Sequence, residues 1–335
     1  MIGGLGGFGG PWAPVHRFCE EAEIPCLFPT TDVPVTSPPG DYSFYLSAGP
    51  EGEAGCLARY LQDGPDAGAP VVQVYREAGA GDGAGSDAGT GADGGAGRAD
   101  GGAGAVADGG AAAWTGVAAE ALRRELGEAV AVEDQPLPAE GALSPDLWGR
   151  LATVSWAGPT AGGGVHPEPL PVVVLWLSGA DLQALDLAAA PAGRFQRIYL
   201  SYRLAGDPPR ALPDAVRERL LLTYPYALPG HLPDGIYRVR SWLRARGVTP
   251  GDERLQLDTY FALSVADHAL AHLVERFDRA YFVERVEHEV ETALNPGVYP
   301  RLSLGPGQRL AAKGCYLVRP TADDGVEAIS SWIVP

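Results

Sequence analysis

The stretch Pro171-Val-Val-Val-Leu-Trp-Leu177 constrains the fold more than any other part of the chain. Its apolar residues do not alternate with polar ones, so as a strand it must be covered on both faces. Strands of that kind lie at the centre of parallel sheets, whose connections cross over through helices. The rest of the sequence has the same rhythm. Pro70-Val-Val-Gln-Val-Tyr75 reads as a second buried strand, and residues 197–201 and 220–224 as two more. Shorter strands are expected at 24–28, 42–46, around Leu302, at 315–318 and at 329–334. Apolar residues at helical spacing predict helices over 14–22, 51–61, 114–126 and 180–188. A long helical region covers 255–293, broken near Asp278. The expected class is α/β with doubly wound parallel sheets.

Size and charge narrow the function. The chain has 335 residues, beyond the roughly 250–300 at which a single core stops growing, so two lobes are expected. It carries 25 basic against 42 acidic side chains, a net charge of −17. Such a surface repels phosphate backbones and anionic lipid, which argues against nucleic-acid and membrane-surface partners. No run approaches the roughly 18 apolar residues of a membrane helix, so no direct membrane insertion is expected. Residues 77–113 are almost entirely Gly, Ala and Asp. A segment this poor in apolar area cannot offset its ordering entropy, and it is read as a disordered insertion between a strand and a helix.

Cys19, Cys26, Cys56 and Cys315 match no zinc, redox or haem spacing. They are read as buried free thiols acting as small hydrophobes, and no cofactor is expected. The N-terminus, Met1-Ile-Gly-Gly-Leu-Gly-Gly-Phe-Gly-Gly10, lacks the basic and apolar regions of a signal peptide.

Several segments together resemble a known family. Ile24-Pro-Cys-Leu-Phe-Pro-Thr-Thr-Asp32 is similar to the strand and loop that open the ligand cleft of type I periplasmic binding proteins of the leucine/isoleucine/valine class. Tyr42-Ser-Phe-Tyr-Leu-Ser47 and the helix after it resemble the family's passage toward the second lobe, and Val71-Val-Gln-Val-Tyr75 that lobe's first strand. Val172 to Gly179 looks like its central strand, Leu257-Asp-Thr-Tyr260 like the helix returning to the first lobe, and Leu304-Gly-Pro-Gly-Gln-Arg309 like the terminal hairpin. Ile2-Gly-Gly resembles the family's third strand, so the resemblance implies a chain lacking the N-terminal strand–helix units.

The implied architecture is two doubly wound lobes joined by a hinge. The first lobe comprises 1–66 with 226–300, and the second 67–225 with 301–335, interrupted by the 77–113 insertion. Tyr224-Pro-Tyr226 and the following Ala-Leu-Pro-Gly230 read as the crossing. The implied function is the substrate-binding component of an ABC-type importer, periplasmic, without enzymatic activity. It takes an amino acid or amide between its lobes and presents it to a membrane permease.

In this family the ligand lies at the carboxyl ends of the strands, held by backbone N–H groups and hydroxyls. Carried over by position, these roles fall on Gly9, Gly10 and Trp12 in the first turn, and on Thr30, Thr31 and Asp32 in the first cleft loop. In the second lobe they fall on Tyr75, Ser178, Ser201 and Tyr202. Each also has a plainer role in packing or capping. Two other readings stay open. One is a ligand-sensing domain of the same fold tied to a redox system. The other is a metal site at His268, His272 and Glu275, one helical face, with Glu287, His288 and Glu291 nearby. No G-x-S-x-G elbow or phosphate loop occurs, and Gly4-Leu-Gly6-Gly-Phe-Gly9 lacks the context of a dinucleotide fingerprint.

Overall fold

The computed structural model describes residues 4–5, 12–31, 33–36, 40–77, 109–154, 170–191, 193–206, 212–231, 234–249, 251–273, 278–323 and 325–335. In chain order the elements begin with β1 (Gly4–Leu5), α1 (Ala13–Glu21), β2 (Cys26–Leu27), β3 (Ser43–Phe44) and α2 (Gly49–Asp63). There follow β4 (Val71–Arg76), α3 (Gly109–Leu126), β5 (Val132–Leu137), α4 (Leu147–Ala152), β6 (Val172–Trp176) and α5 (Gly179–Ala184). Next come β7 (Arg197–Ser201), α6 (Tyr202–Ala205), α7 (Asp214–Arg217) and β8 (Leu220–Tyr224). The chain closes with α8 (Gly235–Ala245), α9 (Glu253–Ala271), α10 (Arg279–Thr292), β9 (Tyr316–Pro320) and β10 (Val326–Ala328).

The strands form a three-stranded sheet, β1-β2-β3, and a seven-stranded sheet in the order β10-β9-β8-β7-β6-β4-β5. Strands β4 to β8 are mutually parallel, whereas β9 and β10 run antiparallel at one end. Side-chain alternation explains why β6 reads as unbroken apolar sequence. Val172, Val174 and Trp176 join α2 and α3 on one face, through Leu57, Leu61, Ala118 and Leu122. Val173, Leu175 and Leu177 face the other way, into a core shared with α4, α5, α9, α10 and the small sheet. Phe28 ties the two sheets to that core, lying 5.7 Å from Phe261 of α9 and 6.5 Å from Phe44.

Several buried polar groups in this interior are paired. Gln73 in β4 donates to the Ala119 carbonyl at 3.0 Å and to Asp134, and accepts from the Trp176 indole at 3.1 Å. Asp66, fully buried, receives Arg197, Gln196 and the Tyr199 hydroxyl. Leaving such groups unpaired would cost about 1–3 kcal/mol each.

Several local expectations hold and several do not. The helix break falls where expected: Asp278 caps α10 by accepting from Tyr281 N at 3.0 Å. Gly127 has φ +56°, the left-handed conformation expected at the end of α3. That helix, however, starts at Gly109, inside the segment assigned to the insertion, and residues 78–108 lie outside the described residues. Alanine-rich sequence propagates a helix backward from a packed face, which composition alone hides. No strand forms at Leu302 or over 329–334; the latter makes only a bridge from Ile333 to Cys315. There the tail lies against α2, so close that a Cβ on Gly55 would come within 2.8 Å of Pro335. Strand β5 and helix α8 are absent from the sequence reading: Glu133, Asp134 and Gln135 interrupt the apolar run of β5, and in α8 Arg238, Arg240, Ser241 and Arg244 are interspersed among the apolar residues.

The cysteine reading needs correction for half of its members. Cys19 and Cys26 form a disulfide, with Cα atoms 6.3 Å apart, whereas Cys56 and Cys315 are free and buried. The bridge pins α1 to β2 across a short loop. Chain-entropy arguments give it about 2–3 kcal/mol. Cys26→Ser is therefore expected to lower the urea midpoint of the oxidised protein to that of the reduced wild type. An equal midpoint for oxidised and reduced wild type would contradict that contribution.

Candidate functional site

At the carboxyl ends of β2, β3 and β7 the chain brings five segments to one small cleft. After β2, Phe28 takes φ +50° and turns the backbone, so that Pro29, Thr30 and Thr31 line the cleft. After β3, Tyr45, Leu46 and Ser47 line the adjoining wall. From the large sheet comes Arg203. Ser201 ends β7 and caps α6 by accepting from Leu204 N at 3.2 Å, and this sharp strand-to-helix turn carries Arg203 inward. Arg254 and Asp258, one turn apart on α9, and Tyr299 complete the lining.

Arg203 is held on both sides. Its Nη2 donates to Ser47 Oγ at 2.8 Å and reaches Tyr299 Oη at 3.4 Å, while its Nε lies 3.9 Å from Glu53 Oε1. Glu53 sits on α2 behind the cleft and accepts from the Thr223 hydroxyl of β8. Burial pushes the Glu53 carboxyl up to about 7, against the lowering pull of Thr223 and Arg203. Arg254 keeps its stem in solvent and extends its guanidinium to the Tyr226 hydroxyl at 2.5 Å, 5.4 Å from that ring. Burial also raises Asp258, to about 7, in spite of Arg254 and Arg203 nearby. Tyr202, Tyr224 and Tyr226 pack edge to face beneath these groups and Tyr299 lies tilted against Tyr226, with neighbouring rings 4.7 to 5.8 Å apart. The free volume is about 40 Å³. That holds a few waters, whereas sites for organic ligands begin near roughly 300 Å³. A solute enters this site only if the walls separate.

The sequence-expected positions distribute as follows. Thr30 and Thr31 line the cleft. Ser201 and Tyr202 lie behind it, supporting Arg203 and the tyrosine cluster. Trp12 is buried at the start of α1 beside the Tyr45 hydroxyl. Tyr75 and Ser178 sit at the switch point between β4 and β6, apart from the cleft lining. There Ser178 caps α5, accepting from Asp181 N at 3.2 Å, and Asp181 receives Arg76. Gly9, Gly10, Asp32 and Glu275 lie outside the described residues. His268 and His272 point their rings at one carboxylate, Glu289, at 3.8 and 3.6 Å. Among the described residues no cluster of three or more His, Cys, Asp or Glu side chains is arranged to hold a metal. Arg203, Arg254, Asp258, Ser47 and Tyr299 were missed. The first follows directly on Ser201-Tyr202, and Arg254 and Asp258 share an i, i+4 spacing at the head of a helix already singled out, so local signals existed.

No family model matches the chain, and no curated protein matches it. Solved structures do. A branched-chain amino acid ABC transporter protein from Thermus thermophilus with bound valine is 14% identical, with TM-score 0.56 over 96% of this chain and 75% of that one. A leucine-binding protein from Thermotoga maritima is 12% identical, TM-score 0.59, over 99% of this chain and 80% of that one. A fatty acid ABC transporter substrate-binding protein from Thermomonospora curvata is 12% identical, TM-score 0.57, over 100% of this chain and 75% of that one. The chain thus has the type I periplasmic binding protein fold, in agreement with the resemblance in its sequence.

Titration of Glu53 gives the site a pH signature. Its folded-state pKa, about 7, lies above the ordinary value of 4.5. The folded state therefore holds more protons between those values, and stability falls as pH rises from about 4.5 through 7. The loss is on the order of 2–3 kcal/mol. Asp258 acts in the same direction. Unfolding free energies measured at pH 5.5 and pH 8 are expected to differ by at least about this amount, and Glu53→Gln to remove its own share and leave that of Asp258. A pH-independent wild type would contradict the burial of an ionisable group here.

Proposed function

We propose that the chain is the substrate-binding component of an ABC-type importer and closes on a small polar solute of the amino acid or amide class. The supporting observation is the convergence on one cavity of Thr30, Thr31 and Ser47 from the small sheet, Arg203 from the large sheet, and Arg254 and Asp258 from α9. Groups delivered from two sheets come together only when the sheets approach, which suits a hinge-closing trap. In this reading 1–66 with 226–300 form one lobe and 67–225 with 301–335 the other, with 77–113 an insertion in the second. The chain crosses between lobes at 224–230, where Tyr224 and Tyr226 pack at 5.6 Å.

Thr30 and Thr31 contact the solute directly, while Ser201 and Tyr202 act by holding Arg203 and the aromatic floor. Trp12, Tyr75 and Ser178 lie outside the cleft lining and are kept as candidate contacts, as is Gly10. The partners are the solute and a membrane permease, and no chemical step is performed on the solute. A periplasmic setting accords with the Cys19–Cys26 disulfide, because such bonds persist in oxidising compartments. No helix among the described residues is long and apolar enough to cross a membrane.

A thermal-shift screen over amino acids, amides and small organic acids tests the reading. A solute at about 100 times its dissociation constant is expected to add about 2.7 kcal/mol to stability. Ser47→Phe, which fills the cleft without changing its charge, is expected to abolish the shift. No shift with any solute, or one unaffected by Ser47→Phe, would overturn the assignment.

A further inference from the structure

The two cysteines outside the Cys19–Cys26 bridge are distant in sequence and adjacent in space. Cys56 lies on α2, Cys315 immediately precedes β9, and both are buried. One oxygen ties them together: the Ile333 carbonyl accepts from Cys56 Sγ at 3.5 Å and from Cys315 N at 3.0 Å. The Cys315 thiol is in turn hydrogen-bonded to that of Cys56. Two thiols so placed form a disulfide once a suitable oxidant reaches them. What covers them is the C-terminal tail, residues 329–335. Each cysteine follows a glycine, and the tail fills the space that each glycine leaves. A Cβ on Gly55 would come within 2.8 Å of Pro335, and one on Gly314 would overlap the Ile333 carbonyl oxygen. Ile333 N donates back to the Cys315 carbonyl at 2.9 Å, and Trp332 packs edge-on against Tyr316 with ring centres 4.9 Å apart. The end of the tail is nevertheless open to solvent, with Val334 53% exposed. Terminal segments of this kind open locally far more readily than the whole fold.

We infer that Cys56 and Cys315 are a dithiol gated by this tail, reduced while it is docked and joined as a second disulfide when it lifts and a disulfide-bearing oxidant enters. The first exposed thiol loses its proton and attacks one sulfur of the oxidant, whose S–S bond breaks and whose other sulfur leaves as a thiolate. The second cysteine, deprotonated in turn, attacks the mixed disulfide and expels the remaining oxidant sulfur. Two cysteine thiols are oxidised, one external disulfide is reduced to two thiols, and the two protons end on those thiols. A setting in which Cys19 and Cys26 stay joined supplies oxidants of this class. While the tail is docked, burial, the hydrogen bond to Cys56 and the Glu53 carboxylate hold the Cys315 thiol well above its ordinary value, which keeps it protonated and unreactive. Oxidation and docking oppose each other, because the bridge removes the Cys56 S–H that donates to the Ile333 carbonyl. By reciprocity, whatever favours the docked tail disfavours the disulfide equally.

The test incubates the folded full chain with oxidised glutathione, quenches samples in acid, then unfolds, labels with N-ethylmaleimide and maps the peptides by mass. Both labels are expected to disappear together, with the Cys56 peptide linked to the Cys315 peptide. Trp332→Ala, which removes the tail's packing on Tyr316 and changes neither cysteine, is expected to speed the linkage by about tenfold. Cys19→Ser combined with Cys26→Ser, which destabilises the fold away from the tail, is expected to leave the rate unchanged. Retention of both labels in the wild type and in Trp332→Ala, or glutathione captured on one cysteine without linkage, would overturn the pairing. A rate raised by the double serine variant and not by Trp332→Ala would assign the exposure to global unfolding and overturn the gating.

Discussion

Burial of the central parallel strands on both faces is the constraint from which the rest of the structure follows. A strand such as β6, with no polar side chain to offer water, needs one layer of helices over Val172, Val174 and Trp176 and another layer over Val173 and Leu175. Helices α2 and α3 supply the first. The second is assembled from α4, α5 and the α9–α10 pair, which also cover the small sheet. Because all five parallel strands point the same way, their carboxyl ends share one rim, and the turn leaving β7 at that rim carries Arg203 into the candidate site.

Several polar groups enter this apolar frame in matched sets. Gln73 joins a helix carbonyl, an aspartate and an indole in the middle of the sheet, and Asp66 gathers three donors at its edge. The Glu53–Arg203 set differs because it extends from the interior into solvent-facing space. Glu53 belongs to α2, Thr223 to β8, and Arg203 to the turn after β7, so one electrostatic unit couples a core helix, the sheet and the cleft wall. Holding a carboxylate in such a place raises its proton affinity.

The cleft is almost full of its own side chains. About 40 Å³ remains between two arginines, an aspartate and a tyrosine floor. A solute bound there would exchange contacts within the protein for contacts of its own, and the difference between those sets would decide affinity and specificity. Local sign of charge matters more here than the overall −17, because field lines inside a low-dielectric cleft are set by the groups that line it.

The layered α/β class, the parallel order of the core strands and the helix break at Asp278 were determined by the sequence alone, since each rests on local periodicity, capping or unbroken apolar runs. The cleft loop at Thr30 and Thr31 was also legible, through its place at the end of a short strand. Other features were decided only by tertiary structure. The Cys19–Cys26 bridge depends on α1 folding back onto β2, which no spacing rule encodes. Strand β5 exists because β4 offers it hydrogen bonds, not because its own residues are apolar. The site residues Arg203, Arg254, Asp258 and Tyr299 come from positions up to 96 residues apart, and a single polar side chain on an exposed turn or helix end looks like solvated surface until another element packs against it. Periodicity records which face of an element is buried; it does not record which two elements will meet across a cleft.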